Sequence, residues 1–337
     1  MQRNSAIDLL RTAAIFTVIW LHVSAVAVIP RAALERPGWL AADLLAAFSR
    51  WSVPAFVLLS GALLLDRPLH ADPRTFYRKR ARRILLPLLF WTVFYILWIF
   101  LNQRSIDFTP LWQPILQGRA YYHLWFLYMT TCLSLAAPGI SWLLSRIRPA
   151  WQPLLAVVLL AGGMADVVWR RVTGTPDPYF ITQWIPYTGY FILGGWLMQR
   201  KPRYSPGVYA TIFVLASLLT AAGAAGLLAA GRGLRWDLAF EYFSPPVALA
   251  ALAAFRGCQS LQSTALEKHA SRLRKLANLS FGVYLVHPIF LDLALKFGLR
   301  VEAAPLLLIP LVSIILFTLS LGLAAALAAH PLTRQLI

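Results

Sequence analysis

The chain has 337 residues, of which 59% are hydrophobic and only 13% charged, with a mean hydropathy of +0.64. That apolar excess excludes an ordinary soluble domain, and repeated runs of about twenty apolar residues are the signature of a polytopic membrane protein. A formal charge of +18 invites a nucleic-acid partner, but the cations lie between the apolar runs and form no continuous basic domain, so nucleic acid is excluded as the expected partner.

Backbone polar groups inside lipid must be paired within the segment, and these runs are too long and unbroken for barrel strands, so the expected fold is an all-α bundle of about ten transmembrane helices. The runs fall at about 6–29, 44–65, 84–102, 123–144, 152–169, 181–199, 207–230, 238–256, 278–297 and 305–329. With the N-terminus in the cytoplasm, the inner segments carry nineteen Lys and Arg, among them Arg3, Arg67, Arg78 and Lys79, against ten in the outer ones. That bias predicts a multi-pass protein of the cytoplasmic (inner) membrane with both termini inside. The outer connections, such as 110–114 and 175–178, are short and rich in Pro or Trp and read as ordered turns. One transmembrane domain over 1–337 is expected, with no appended soluble domain and no cleavable leader. Cys132 and Cys258 have neither metal-site nor disulfide spacing, and no metal is expected.

The opening run carries three groups that hydrocarbon disfavours: Asp8, Arg11 and His22. At about 100° per residue, the steps from Arg11 to His22 return to nearly the same face after a rise of roughly 16 Å. The three therefore share one stripe, either as a functional site or as a snorkelling Asp8–Arg11 pair with a packed histidine.

The inner segment around Arg78, Arg80 and Arg83 opens the third run. Guanidinium forks there suit phosphate oxygens, and a positive anchor on anionic lipid would use the same letters. In the second run, Ser60-Gly61 reads as a close helix contact. His123 and Trp125 start the fourth run as a sugar-stacking platform or an interfacial aromatic belt. His287 precedes Pro288 in the ninth run, where an imidazole needs either a function or a relieving hydrogen bond. Among the remaining acids Asp166, Glu241 and Asp292, a weak functional role is assigned only to Glu241.

Taken together and in order, these stretches resemble the acyltransferase-3 family of integral membrane O-acyltransferases, most closely its small cell-surface branch of the enterobacterial common antigen type. The resemblance rests on Asp8-x-x-Arg11 followed by ten residues and His22, Val-Pro-Ala-Phe…Ser-Gly, Arg80-x-x-Arg83-Ile-Leu-Leu-Pro, His-Leu-Trp-Phe-Leu, the run Tyr187 to Gly195 and Tyr-Leu-Val-His-Pro. It implies that acetyl-CoA, or another cytoplasmic acyl-CoA, donates its acyl group to a hydroxyl of an extracytoplasmic glycan or lipid-linked saccharide. In that reading His22 is the catalytic base and Asp8 orients the first turn. Arg11, Arg80, Arg83 and Arg78 bind the donor, and His123, Trp125, Glu241 and His287 face the acceptor. Direct attack is expected, with an acetyl-His22 intermediate as the variant. A transporter or flippase using the buried Arg and His is the competing reading, a structural subunit of an envelope complex is a third, and self-association is left open.

Overall fold

The computed structural model describes residues 5–29, 38–66, 68–103, 115–231, 235–261 and 264–337. The Pro110–Pro114 turn and the cations Arg3 and Arg67 lie outside them. Among the described residues the secondary structure is helical, with no strand. Among the described residues, nine helical stretches are long and apolar enough to cross a membrane: Ser5–Val28, Trp39–Leu64, Pro73–Asn102, Trp125–Arg146, Gln152–Thr173, Pro206–Ala229, Trp236–Ser260, Ala270–Lys296 and Pro305–Ala329. All-α, polytopic architecture is therefore the observed fold.

The sixth expected run, 181–199, is not one continuous span. A single turn over Phe180–Gln183 is followed by a break and then by the helix Thr188–Met198. Eleven residues rise only ~16 Å, about half of a ~30 Å hydrocarbon layer. Thr188 to Gly195 are all buried. Hydropathy alone does not separate a short helix enclosed by protein from one enclosed by lipid.

The chain forms two compact units, Met1–Leu59 with Arg200–Leu327, and Ser60–Gln199 with Ala328–Ile337. In the first, the opening helix Ser5–Val28 packs against Ala270–Lys296, Trp39–Ala47 and Pro245–Ser260. Lipid tails are as apolar as leucine, so close van der Waals fit drives this association more than the hydrophobic effect does. Ala14, Ile15, Ile19 and Val23 are accordingly at most 1% exposed. Indole donors fasten the periphery: Trp20 donates to the Leu45 carbonyl at 3.0 Å and Trp39 to that of Val28 at 3.3 Å.

In the second unit, the short buried helix is clamped by glycines. A Cβ on Gly189 would stand 2.6 Å from the Ala156 carbonyl oxygen, and one on Gly61 would collide with the backbone of Phe191. The Ser60-Gly61 pair is thus a close helix contact. The connection at 175–178 is an ordered turn, where Asp177 takes hydrogen bonds from Arg119 at 2.6 Å and Arg170 at 3.1 Å. Arg170 also pairs with Asp166 at 2.6 Å.

Because backbone, not a flexible side-chain tip, opposes the added methyl, Gly61→Ala should destabilise the fold by roughly 1–3 kcal/mol. Gly162→Ala, where a Cβ meets nothing within 4 Å, should be neutral. Thermal unfolding of the detergent-purified variants checks the pair, and equal midpoints would contradict the clamp.

Candidate functional site

The opening helix runs unbroken from Ser5 to Val28 with no proline, so the face shared by Asp8, Arg11 and His22 is kept along its length. Asp8 is buried at 3% exposure, while Arg11 and His22 are half-buried. Near the helix start, the Thr12 hydroxyl donates to the Asp8 carbonyl oxygen at 2.9 Å. Along the helix, Asp8 stands about four turns and Arg11 about three turns from His22.

What meets His22 is a second imidazole. The His22 and His287 rings lie 5.1 Å apart between centroids and are tilted by 30°. His287 comes from Ala270–Lys296, the helix packed along the opening one, and is 0% exposed. The local sequence explains how it is held. Pro288 lacks an N–H, so it cannot donate to the carbonyl of Tyr284 four residues back. His287 fills that role, with Nδ1 2.8 Å from the Tyr284 oxygen. A carbonyl oxygen only accepts, so Nδ1 carries the proton, which fixes the ring's orientation and tautomer.

A third group enters from the turn between Trp39–Ala47 and Ser52–Leu64. The Ser49 hydroxyl donates to the Ala46 carbonyl at 2.6 Å and the Ser52 hydroxyl to the Ser49 carbonyl at 2.8 Å, both serines being fully buried. This locked turn projects Arg50, whose guanidinium carbon sits 4.6 Å over the Phe240 ring centroid. Arg50 lies within electrostatic reach of His22, of Asp43, which is 2% exposed, and of the Tyr242 hydroxyl. Glu241 adjoins this group through its own interaction with Tyr242. Sequence alone assigned no role to Arg50, Asp43 or Tyr242. An acid and a cation only seven positions apart in an apolar stretch, Asp43 and Arg50, were the available signal.

Arg78, Arg80 and Arg83 belong to the other unit. Asp72 starts their helix, with its Oδ1 accepting from the Thr75 N–H at 3.2 Å and Pro73 in the first turn. Hydrogen bonds from Thr75 hold the Asp72 carboxyl below its usual range, helped by the nearby Lys79. After Arg80 the helix widens into a π-turn over Ala81–Leu85, where Leu86 donates to the Ala81 carbonyl five residues back. Pro87 accounts for this: it has no N–H for the Arg83 carbonyl, and its ring would strike that carbonyl in a tight α-turn. Arg80 is half-buried over Phe76 at 5.4 Å, while Arg78 and Arg83 are exposed. Arg80 and Arg83 lie within electrostatic reach of each other, a like-charge pair suited to a multivalent anion.

His123 is 1% exposed and enclosed by Tyr95, Tyr121 and Tyr122 at ring distances of 4.9, 5.8 and 5.7 Å. Trp125 lies 6.0 Å from Tyr187. The imidazole is thus inside an aromatic cluster and is not displayed on an outer surface. Among the described residues no group of three His, Cys, Asp or Glu is placed to hold a metal.

A family model described as an acyltransferase domain matches residues 4–329 of the chain. No curated protein and no solved structure matches it.

The tautomer of His287 is open to measurement. Nitrogen-15 NMR of histidine-labelled protein should show Nδ1 protonated at His287, and Pro288→Ala, which restores the backbone donor to Tyr284, should release that preference. A resonance with only Nε2 protonated in the unsubstituted protein would contradict the assignment.

Proposed function

We propose, from a chain that belongs to the acyltransferase-3 family of membrane acyltransferases, that this member transfers an acyl group, normally acetyl, from cytoplasmic acyl-CoA to a hydroxyl of an extracytoplasmic glycan or lipid-linked saccharide. The observation that carries the reading is the half-buried His22, set against His287 on the interior face of the opening helix. Acyl transfer to an alcohol needs a base for the hydroxyl proton, and imidazole suits that task near neutral pH. His22 takes the proton from the acceptor and returns it to the departing sulfur. His287 fixes one wall of that position, its ring held by the Tyr284 carbonyl.

The donor carries a charged nucleotide on a slim arm. Arg11 and the cations Arg78, Arg80 and Arg83 have the chemistry for its phosphates, and the half-buried Arg80 is braced on Phe76. The rise from Arg11 to His22, about 16 Å by helix geometry, suits one extended pantetheine chain. Asp8 orients the first turn around Arg11. Donor and acceptor approach from opposite sides of the cytoplasmic membrane. Glu241, His123 and Trp125 are the acceptor-side groups of this reading, with Glu241 nearest the Arg50 cluster through Tyr242.

Purified protein supplied with acetyl-CoA and envelope glycan should form an acetyl ester. His22→Ala should lower kcat by about 10²–10⁴, the range for loss of a general base. Arg11→Ala should act mainly on KM for the donor. Full activity in His22→Ala would overturn the proposal, as would donor binding indifferent to Arg11.

A further inference from the structure

We infer that Arg50 is a further catalytic residue of this centre, its guanidinium donating to the carbonyl oxygen of the acyl group as negative charge develops there. This rests on the acyltransfer reading and on His22 as its base. The step is balanced as follows. His22 accepts the acceptor's hydroxyl proton while the alcohol oxygen bonds to the acyl carbon, and the carbonyl π-electrons move onto its oxygen. When the carbonyl re-forms, the carbon–sulfur bond breaks, its electron pair leaves on sulfur, and sulfur takes the proton from His22. The products are the ester and the free thiol. The first half of that step concentrates negative charge on one oxygen inside a bundle that excludes water, where a fixed cation acts far more strongly than in solvent.

Four observations point to Arg50. It lies within electrostatic reach of His22, whereas Arg11 is about three turns away along the helix. Its position is enforced twice, from below by the serine-locked turn and from one face by Phe240 at 4.6 Å, with Asp43 and Tyr242 within electrostatic reach. Its Nε is buried and, among the described residues, has no hydrogen-bond partner. A buried donor left so costs about 1–3 kcal/mol, a cost that a site for an incoming oxygen explains and a purely structural pair does not. Finally, ionisable side chains in membrane spans mark functional interiors. Asp43, by this account, is a positioning residue that sets opposite charge within reach of the guanidinium.

The test uses two donors, acetyl-CoA and S-acetyl-N-acetylcysteamine, which keeps the thioester and lacks the nucleotide. Arg50→Gln should lower kcat by about 10²–10³ with both donors, because the lost contact is at the carbonyl. Arg11→Ala should be impaired with acetyl-CoA and indifferent with the short donor. Arg50→Lys, which keeps the charge and loses the fork, should retain an intermediate rate, and it serves as the readout if Arg50→Gln does not fold. A loss confined to acetyl-CoA would make Arg50 a nucleotide contact and overturn the inference. Unchanged kcat in Arg50→Gln, or in Arg50→Lys where only that variant folds, would also overturn it. An inactive His22→Ala beside a fully active Arg50→Gln defeats this inference alone, whereas an active His22→Ala defeats the acyltransfer reading beneath it.

Discussion

The structure turns on how an imidazole pair is kept inside an apolar bundle. Placing His22 against His287 requires the opening helix to lie along Ala270–Lys296 with small and branched residues between them, and it requires one ring to be locked so that the other has a defined neighbour. Pro288 provides the lock by removing a backbone donor. The orphaned Tyr284 carbonyl then captures His287 Nδ1. A proline that would weaken an ordinary helix here converts a backbone deficit into side-chain order.

The same economy recurs around the cations. Pro87 widens the helix below Arg80 and Arg83 into a π-turn, a feature common at functional sites. The buried serines at 49 and 52 tie the turn that presents Arg50. In each case a local break in regular hydrogen bonding sits beside a charged or titratable group. Regular helix supplies the scaffold, and its interruptions aim the chemistry.

The spans were legible because crossing lipid leaves a signature of length and hydropathy that neighbours do not alter. The run 181–199 misled because burial in protein selects the same letters, and only the glycine clamp around Thr188–Met198 shows the difference. Helical periodicity was enough to align Asp8, Arg11 and His22, since it depends on one segment alone. The His22–His287 contact joins helices far apart in sequence, and periodicity says nothing about which helix faces which. Arg50 was harder still, because its direction is set by a four-residue turn and by Phe240 and Tyr242 from another part of the chain. The aromatic enclosure of His123 was hidden for the same reason, because Tyr95 reaches it from another helix.

The central claim is that acyl transfer takes place where His22, His287 and Arg50 meet. A cryo-EM structure of the protein with a non-hydrolysable thioether analogue of acetyl-CoA tests it most directly. The account predicts the analogue's carbonyl carbon within about 3–4 Å of the His22 ring, close to a near-attack separation, with its oxygen towards Arg50 and its arm running along the opening helix to Arg11. An analogue whose acyl end lies away from His22 while its nucleotide is fully bound would contradict the account.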